Sequence, residues 1–299
     1  MSTKLQTTRL SKAMLIGALL LPTLAPAQTA YSWMSPDVKN AWTQGYKGQG
    51  TTITVVDDFS NSSRFSGNLG TGVLNQGHGY WTALEAAMIA PEAKVVKRNW
   101  SSTSVALNPS GLNVLNLSYG MYARSNLDVN RIAWSGQEKS IISYAKGGTA
   151  VVVKAAGNDA VAVGKANRSG NVDYLNVALR GAPAVIYAGA LSSNGTTAAK
   201  ASLASYSNYA GTDKTIQNNF LVVGVASNQT GLAGTSFAAP IISGYAAVVG
   251  SKFTKATSTQ IVNQLLTTAR TDTIRNYQAS LHGRGEASLS RALAPVSIR

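Results

Sequence analysis

The 299-residue chain has no cysteine, so disulfides do not staple its fold. Histidine is nearly as scarce. Only His78 and His282 occur, and with no thiolate beside them no transition-metal site is expected. Charge is sparse: charged residues make up 13% against 44% hydrophobic, a composition that excludes disorder. Acidic residues are fewest, 12 against 26 Lys and Arg, giving a formal charge of +14. The basic residues are scattered, with no dense run and no nucleic-acid motif. A solvated cationic surface is expected, and no nucleic-acid partner. Beyond residues 13–24 no apolar stretch approaches the roughly 20 residues of a membrane helix.

What the N-terminus does contain reads as a secretory signal. Lys4, Arg9 and Lys12 precede the apolar run 13–24, and Ala25-Pro26-Ala27 offers a small-x-small cleavage site. Residues 1–27 are therefore expected to be removed, leaving about +11 on a secreted or periplasmic chain with no transmembrane segment.

The remainder, residues 28–299, reads as one domain. Strands are expected at 52–56, 94–97, 113–117, 149–155, 184–189 and 220–223. Between them fall helical patterns: a proline-started helix after Ser35, then 81–89, 135–146, 237–253 and a last one from 257. Ser135 to Glu138 and Thr257 to Gln260 are spaced as capping boxes. This alternation predicts an α/β fold, with a doubly wound, mainly parallel sheet and helices on both faces. Such sheets bind ligands beyond the carboxyl ends of their strands.

The string Gly-Thr-Ser-Phe-Ala-Ala-Pro, 234–240, sets Ser236 after a glycine turn at the head of a helix. Unpaired N–H groups and the helix dipole favour negative charge there, as acyl transfer requires. A serine nucleophile needs a base near neutrality, and His78, at the start of the 81–89 helix, is better placed than His282. His282 is expected at the surface. The imidazole needs an orienting acid, and Asp57 ends strand 52–56. Its neighbour Asp58 points the other way along the strand and is expected to face away or hold the next loop.

The order Asp57, His78, Ser236 is that of the subtilisin type. The 234–240 string closely resembles the nucleophile motif of subtilisin-like serine proteases, the subtilases. Ile53-Thr-Val-Val-Asp57 resembles the strand ending in that family's aspartate. His78-Gly79 with Ala90-Pro-Glu-Ala resembles its histidine helix and the following strand. Val114-Leu-Asn-Leu-Ser118-Tyr119-Gly120 resembles its cleft-lining segment, Val151-Val-Val-Lys-Ala-Ala-Gly157-Asn158 the strand ending in its oxyanion asparagine, and Ala204-Ser-Tyr-Ser-Asn208 a further landmark.

The resemblance implies a subtilisin-like fold and a serine endopeptidase working through an acyl-enzyme. Asp57, His78 and Ser236 would be catalytic, and Asn158 an oxyanion donor. Such a donor contributes roughly 3 kcal/mol, a magnitude that comes from subtilisin itself. Ser118, Tyr119, Gly120, Ala155, Ala156 and Gly157 would bind substrate. These wall segments carry no acidic residue, so an apolar or aromatic P1 side chain is expected. The chain is expected to act as a monomer on polypeptide substrates without a cofactor. Calcium is common in that family, yet no ligand loop is readable, so a calcium site stays unassigned.

The sequence also departs from the family pattern. Asp58 and Phe59 follow the aspartate where a small residue and glycine are usual, and Tyr80-Trp81 follow His-Gly where Thr-His is common. The Asp57–His78 interval suggests a trimmed loop. No room for an inhibitory pro-domain is seen between Ala27 and Thr52, and no membrane barrel is expected after Arg299. Two other readings therefore stay open: a catalytically silent peptide-binding subtilase fold, and a peptide ligase or esterase using the same acyl-enzyme.

Overall fold

A computed structural model describes residues 29–60 and 62–298. The cleavable-signal reading of residues 1–27 lies outside them.

Helix α1 (Pro36–Thr43) leads into strand β1 (Thr51–Asp57). A hairpin of β2 (Arg64–Gly67) and β3 (Leu74–Gly77) follows, then helix α2 (His78–Ile89) and strands β4 (Lys94–Asn99) and β5 (Leu112–Leu117). Strand β6 (Tyr122–Arg124), helix α3 (Gly136–Gly147), strand β7 (Val151–Ala155), strand β8 (Asn171–Asp173) and helix α4 (Tyr174–Ala178) come next. Strand β9 (Val185–Leu191), helix α5 (Lys214–Asn218), strand β10 (Phe220–Gly224) and helix α6 (Ser227–Thr230) precede the long helix α7 (Thr235–Lys252). Helices α8 (Ser258–Thr267), α9 (Ala279–His282) and α10 (Leu289–Leu293) close the fold.

Six strands form one parallel sheet in the order β10-β9-β7-β5-β1-β4. The chain moves outward from β1 to β4, then crosses back to β5 on the other side. The order therefore reverses between β1 and β5, and open α/β sheets present their ligand crevice at such a switch. The expected doubly wound α/β fold is what the chain adopts.

Both sheet faces are covered, so each strand alternates between two apolar layers. On one side Ile53, Val55, Val114, Val151 and Val153 pack with residues of α2, α7 and α8. On the other, Val56, Leu115, Leu117 and Val152 pack with Ile141 and Ala145 of α3 and Leu175 of α4. This period of two decides which aspartate enters the crevice. Asp57 continues the phase of Ile53 and Val55, toward α2 and α7, and Asp58 takes the opposite phase.

The helices that carry the site start earlier than their apolar spacing indicates. Polar first turns hide these starts. Helix α2 begins at His78 behind Gly77, and α7 at Thr235 behind Gly234, neither with a side-chain cap. The capping box at Thr257 and Gln260 forms. At Ser135 only half of one does: Ser135 Oγ accepts from the Gln137 amide at 3.1 Å. Glu138, instead of reaching back to the Ser135 backbone, bonds the Ser135 and Tyr119 hydroxyls and accepts from the Gln137 side-chain Nε2.

One buried acid without an ionic partner has a carboxyl oxygen with no hydrogen bond. Glu85 on α2 is 1% exposed, and its Oε2 has no hydrogen bond. Burial pushes its carboxyl well above the ordinary glutamate value of 4.5. A carboxyl with a raised folded pKa favours the fold below its unfolded value and loses that contribution as pH rises. Glu85→Gln should therefore flatten the decline in melting temperature as pH rises above the ordinary glutamate value of 4.5. Parallel profiles for the two proteins would contradict the assignment.

Candidate active site

The crevice is organised around Asp57, 1% exposed at the end of β1. A buried carboxylate must be hydrogen-bonded, and this one is. Its Oδ1 meets His78 Nδ1 at 2.7 Å and accepts the Asp58 amide at 2.7 Å; its Oδ2 accepts the Thr82 hydroxyl at 2.9 Å. Thr82 lies one helical turn beyond His78, on the same face of α2. Close approach of α2 to β1 requires a glycine at 79, where an added Cβ would stand 2.5 Å from the Asp58 carbonyl oxygen. The Gly79 amide donates to that carbonyl at 3.0 Å.

Asp58 turns outward and holds the next loop. Its carboxylate accepts the Ser60 amide at 2.8 Å, the Ser60 hydroxyl, and the Ser62 hydroxyl at 2.8 Å. These hydrogen bonds, the Ser60 hydroxyl first, hold its pKa below the usual aspartate value.

The imidazole is half-buried among aromatic rings. Phe65 of β2 lies 6.3 Å from it and Phe237 of α7 5.8 Å, centroid to centroid. Phe237 follows Ser236, so α7 delivers the serine to the histidine side of the cleft. The Ser236 hydroxyl donates to the Ser118 carbonyl at 3.2 Å in this state.

Pro240 has a local role here. A proline has no N–H, so the carbonyl four residues back loses its helical donor. That carbonyl belongs to Ser236, and the Ser118 hydroxyl donates to it at 2.8 Å. Asn116 Nδ2 donates in turn to Ser118 Oγ at 3.0 Å, and Ser243 of α7 bonds Asn116 Oδ1 at 3.1 Å. The end of β5 is thus tied to the first turn of α7.

Asn158 follows β7. Its Oδ1 accepts both the amide and the hydroxyl of Thr235, at 2.8 and 3.0 Å. Of the two ends of the Asn158 side-chain amide only the oxygen can accept from a backbone N–H, so the Thr235 contacts leave the Nδ2 donor unused. Gly234 (φ +129°) passes close beneath it: an added Cβ would lie 3.3 Å from Asn158 Nδ2. Thr235, wholly buried, also accepts the Gly157 amide at 3.0 Å. Asn208 fixes the same turn by donating to the Ala156 carbonyl and accepting the Asp159 and Val161 amides.

The subtilase family model matches residues 67–286, most of the chain. The chain belongs to the subtilase family. The matched range contains His78, Asn158 and Ser236 and begins after Asp57. No curated protein matches it. Among solved structures it resembles the prenylagaramide maturation protease PagA: TM-score 0.55 and 17% identity over 87% of this chain and 98% of that one. It also resembles MycP3, a protease of the type VII (ESX-3) secretion system: TM-score 0.56, 20% identity, 92% and 90% covered. MycP1 from Mycobacterium smegmatis gives 0.53, 18%, and 86% and 82%. At these identities the likeness is one of fold.

In this subtilase the structure brings Asp57 to His78 and places Ser118, Asn158 and Ser236 along one cleft, between the ends of β5 and β7 and the start of α7. His282 stands elsewhere and is not at the surface. It is 2% exposed, bonded through Nδ1 to Gln278 and stacked on Tyr277. Burial lowers its pKa, so it favours the neutral form. Trp81, one of the unusual residues after His-Gly, is fully buried and donates to the Phe65 carbonyl, and Tyr80 lies under Lys97. The 57–78 interval is a hairpin that supplies Phe65, not a bare trimmed loop.

Several contributors were not singled out by the sequence: Thr82, Thr235 and Phe65, and the Lys154–Asp173 pair behind the cleft. Thr235 and Lys154 sit inside recognisable motifs, and Thr82 is one turn from His78, but Phe65 and Asp173 carry no such signal. Lys154 and Asp173 are both buried. The ammonium donates to the Ala155 carbonyl at 2.7 Å and meets Asp173 Oδ2 at 2.9 Å, off the hydrogen-bond axis. Beside Tyr119 and Gly120 opens an apolar cavity of about 500 Å³, walled by Trp100, Met121 and Gln137. A larger groove of about 720 Å³ between α3 and α4 includes none of the candidate residues. Convergent polar groups, and not volume, mark the site. Among the described residues no group of three or more His, Cys, Asp or Glu is arranged to hold a metal ion.

The Ser118 latch has a thermodynamic signature. Ser118→Ala should cost about 1–3 kcal/mol, because Pro240 leaves the Ser236 carbonyl no helical donor. Pro240→Ala restores one. Denaturant unfolding of both single variants and the double variant should show at least about 0.5 kcal/mol of favourable coupling. Strict additivity would contradict the latch.

Proposed function

We propose that this subtilase is an exported serine endopeptidase that hydrolyses peptide bonds through Asp57, His78 and Ser236. The carrying observation is the 2.7 Å contact of a fully buried Asp57 with His78, whose ring packs on the residue next to Ser236. Asp57 fixes the Nδ1–H tautomer and stabilises the imidazolium that forms.

Rotation about the Ser236 side chain takes the hydroxyl from the Ser118 carbonyl to His78 Nε2. Nε2 accepts the proton as Oγ attacks the scissile carbonyl carbon. The oxyanion forms at the mouth of α7, where the Ser236 amide has no acceptor within the helix. Asn158 supplies a second donor to it through Nδ2. The intermediate collapses to an acyl-enzyme as the imidazolium gives its proton to the leaving amine. Water, deprotonated by His78, then releases the acyl group. The edge at Ser118, Tyr119 and Gly120 and the turn at Ala155, Ala156 and Gly157 border the substrate backbone on either side.

Export follows from residues 1–27 as a cleaved signal. Among the described residues no helix is long and apolar enough to cross a membrane. Intact-mass analysis of exported protein should show a chain beginning near Gln28, and a full-length mass there would contradict cleavage.

The test of the reaction is kinetic. Ser236→Ala should abolish peptide hydrolysis and labelling by a fluorophosphonate. Asp57→Asn should lower kcat by on the order of 10³–10⁴, and Asp58→Asn by about tenfold or less, as expected of a loop-holding residue. Turnover by the Ser236 variant, or a larger loss at Asp58 than at Asp57, would overturn the assignment.

A further inference from the structure

The space between the two wall segments is not empty. Ser118, Tyr119 and Gly120 leave β5, and Ala155, Ala156 and Gly157 leave β7, its hydrogen-bonded neighbour. Strands so paired are roughly 5 Å apart, and their exits splay into a narrow slot. The Tyr122 side chain lies along this slot. Its ring edge touches one wall: a Cβ on Gly120 would stand 2.5 Å from Tyr122 Cε2. Its hydroxyl reaches the other: a Cβ on Gly157 would stand 3.5 Å from Tyr122 Oη. The same hydroxyl makes a long 3.5 Å contact with Asp159 Oδ2.

The antiparallel pairing of β6 with β8 holds the ring in place, with Tyr122 opposite Asp173. Asp173 closes the slot behind the ring. A Gly120 Cβ would come within 2.9 Å of its Oδ2. Its charge is answered by the buried Lys154 ammonium, so the floor is polar but carries no net charge to select a basic or acidic guest.

We propose that Tyr122 determines specificity by filling the P1 slot with the protein's own phenol, restricting P1 to small side chains such as glycine, alanine or serine. The assignment rests on the protease reading given above. It replaces the apolar or aromatic P1 expected from the wall segments alone, because the residue that fills the slot lies outside them. The ring remains 48% exposed, so it occupies the outer part of the slot, and reaching from one wall to the other it obstructs a second ring between them.

Peptidyl diphenyl phosphonates that differ only at P1, as Ala, Phe or Lys, provide the test. Each labelling rate is divided by that of a fluorophosphonate with no P1 side chain. The natural protein should react at least about tenfold faster with the Ala probe than with the Phe probe, and Tyr122→Ala should shift that ratio toward Phe by about tenfold or more. The Lys probe should gain no more than the Phe probe, since the Asp173–Lys154 pair leaves the floor no net charge to attract it. Tyr122→Phe should keep the preference for Ala.

A natural protein that takes Phe as readily as Ala overturns the proposal, whatever the variants do. So does a Tyr122→Ala ratio equal to that of the natural protein. If the fluorophosphonate itself fails to label the natural protein, the protease reading falls and this assignment falls with it. That result is distinct from labelling that ignores P1.

Discussion

A carboxylate buried in an α/β crevice constrains everything around it. Asp57 is 1% exposed, and leaving such a group unbonded would cost more than a domain's marginal stability tolerates. Its needs are met from one direction, by the first turns of α2. His78 and Thr82 approach Oδ1 and Oδ2, and the Asp58 amide completes the set. That demand explains why α2 starts at His78, why glycine follows, and why β1 must hold its register. A one-residue slip would bury Asp58 in its place and turn the strand's inner layer over.

The same logic links the other side of the cleft. Pro240 opens a gap in the first turn of α7, and Ser118 fills it from β5. Thr235 then holds both Gly157 and Asn158. Three strand ends and two helix starts are thereby joined by short polar bonds. A chain without cysteine, with few acids and no clustered metal ligands among the described residues, can still hold reactive groups in place. Aromatic packing of Phe65 and Phe237 against the imidazole adds a rigid apolar side.

Much of this was legible in the sequence because it depends on local pattern. The six parallel strands and the longer helices follow from apolar periodicity, and the facing of Asp57 from the two-residue phase of β1. What escaped was non-local. Phe65 sits in a hairpin whose strands have little buried alternation. His282 looked like a loop residue, yet the C-terminal segment folds back on β10, where the Arg284 amide bonds the Phe220 carbonyl. Lys154, a charge inside a valine-rich strand, makes sense only beside Asp173, which arrives from β8. Tyr122 was hidden for the same reason, since a three-residue strand has no periodicity to read.

The central claim is that Ser236 becomes covalently acylated with His78 as its base. An activated ester whose acyl group leaves slowly should trap that species when the reaction is quenched in acid within seconds. Peptide mapping by mass spectrometry should then find the acyl group on the fragment carrying Ser236 and nowhere else. Ester turnover with no adduct, or with an adduct on another residue, would contradict the account.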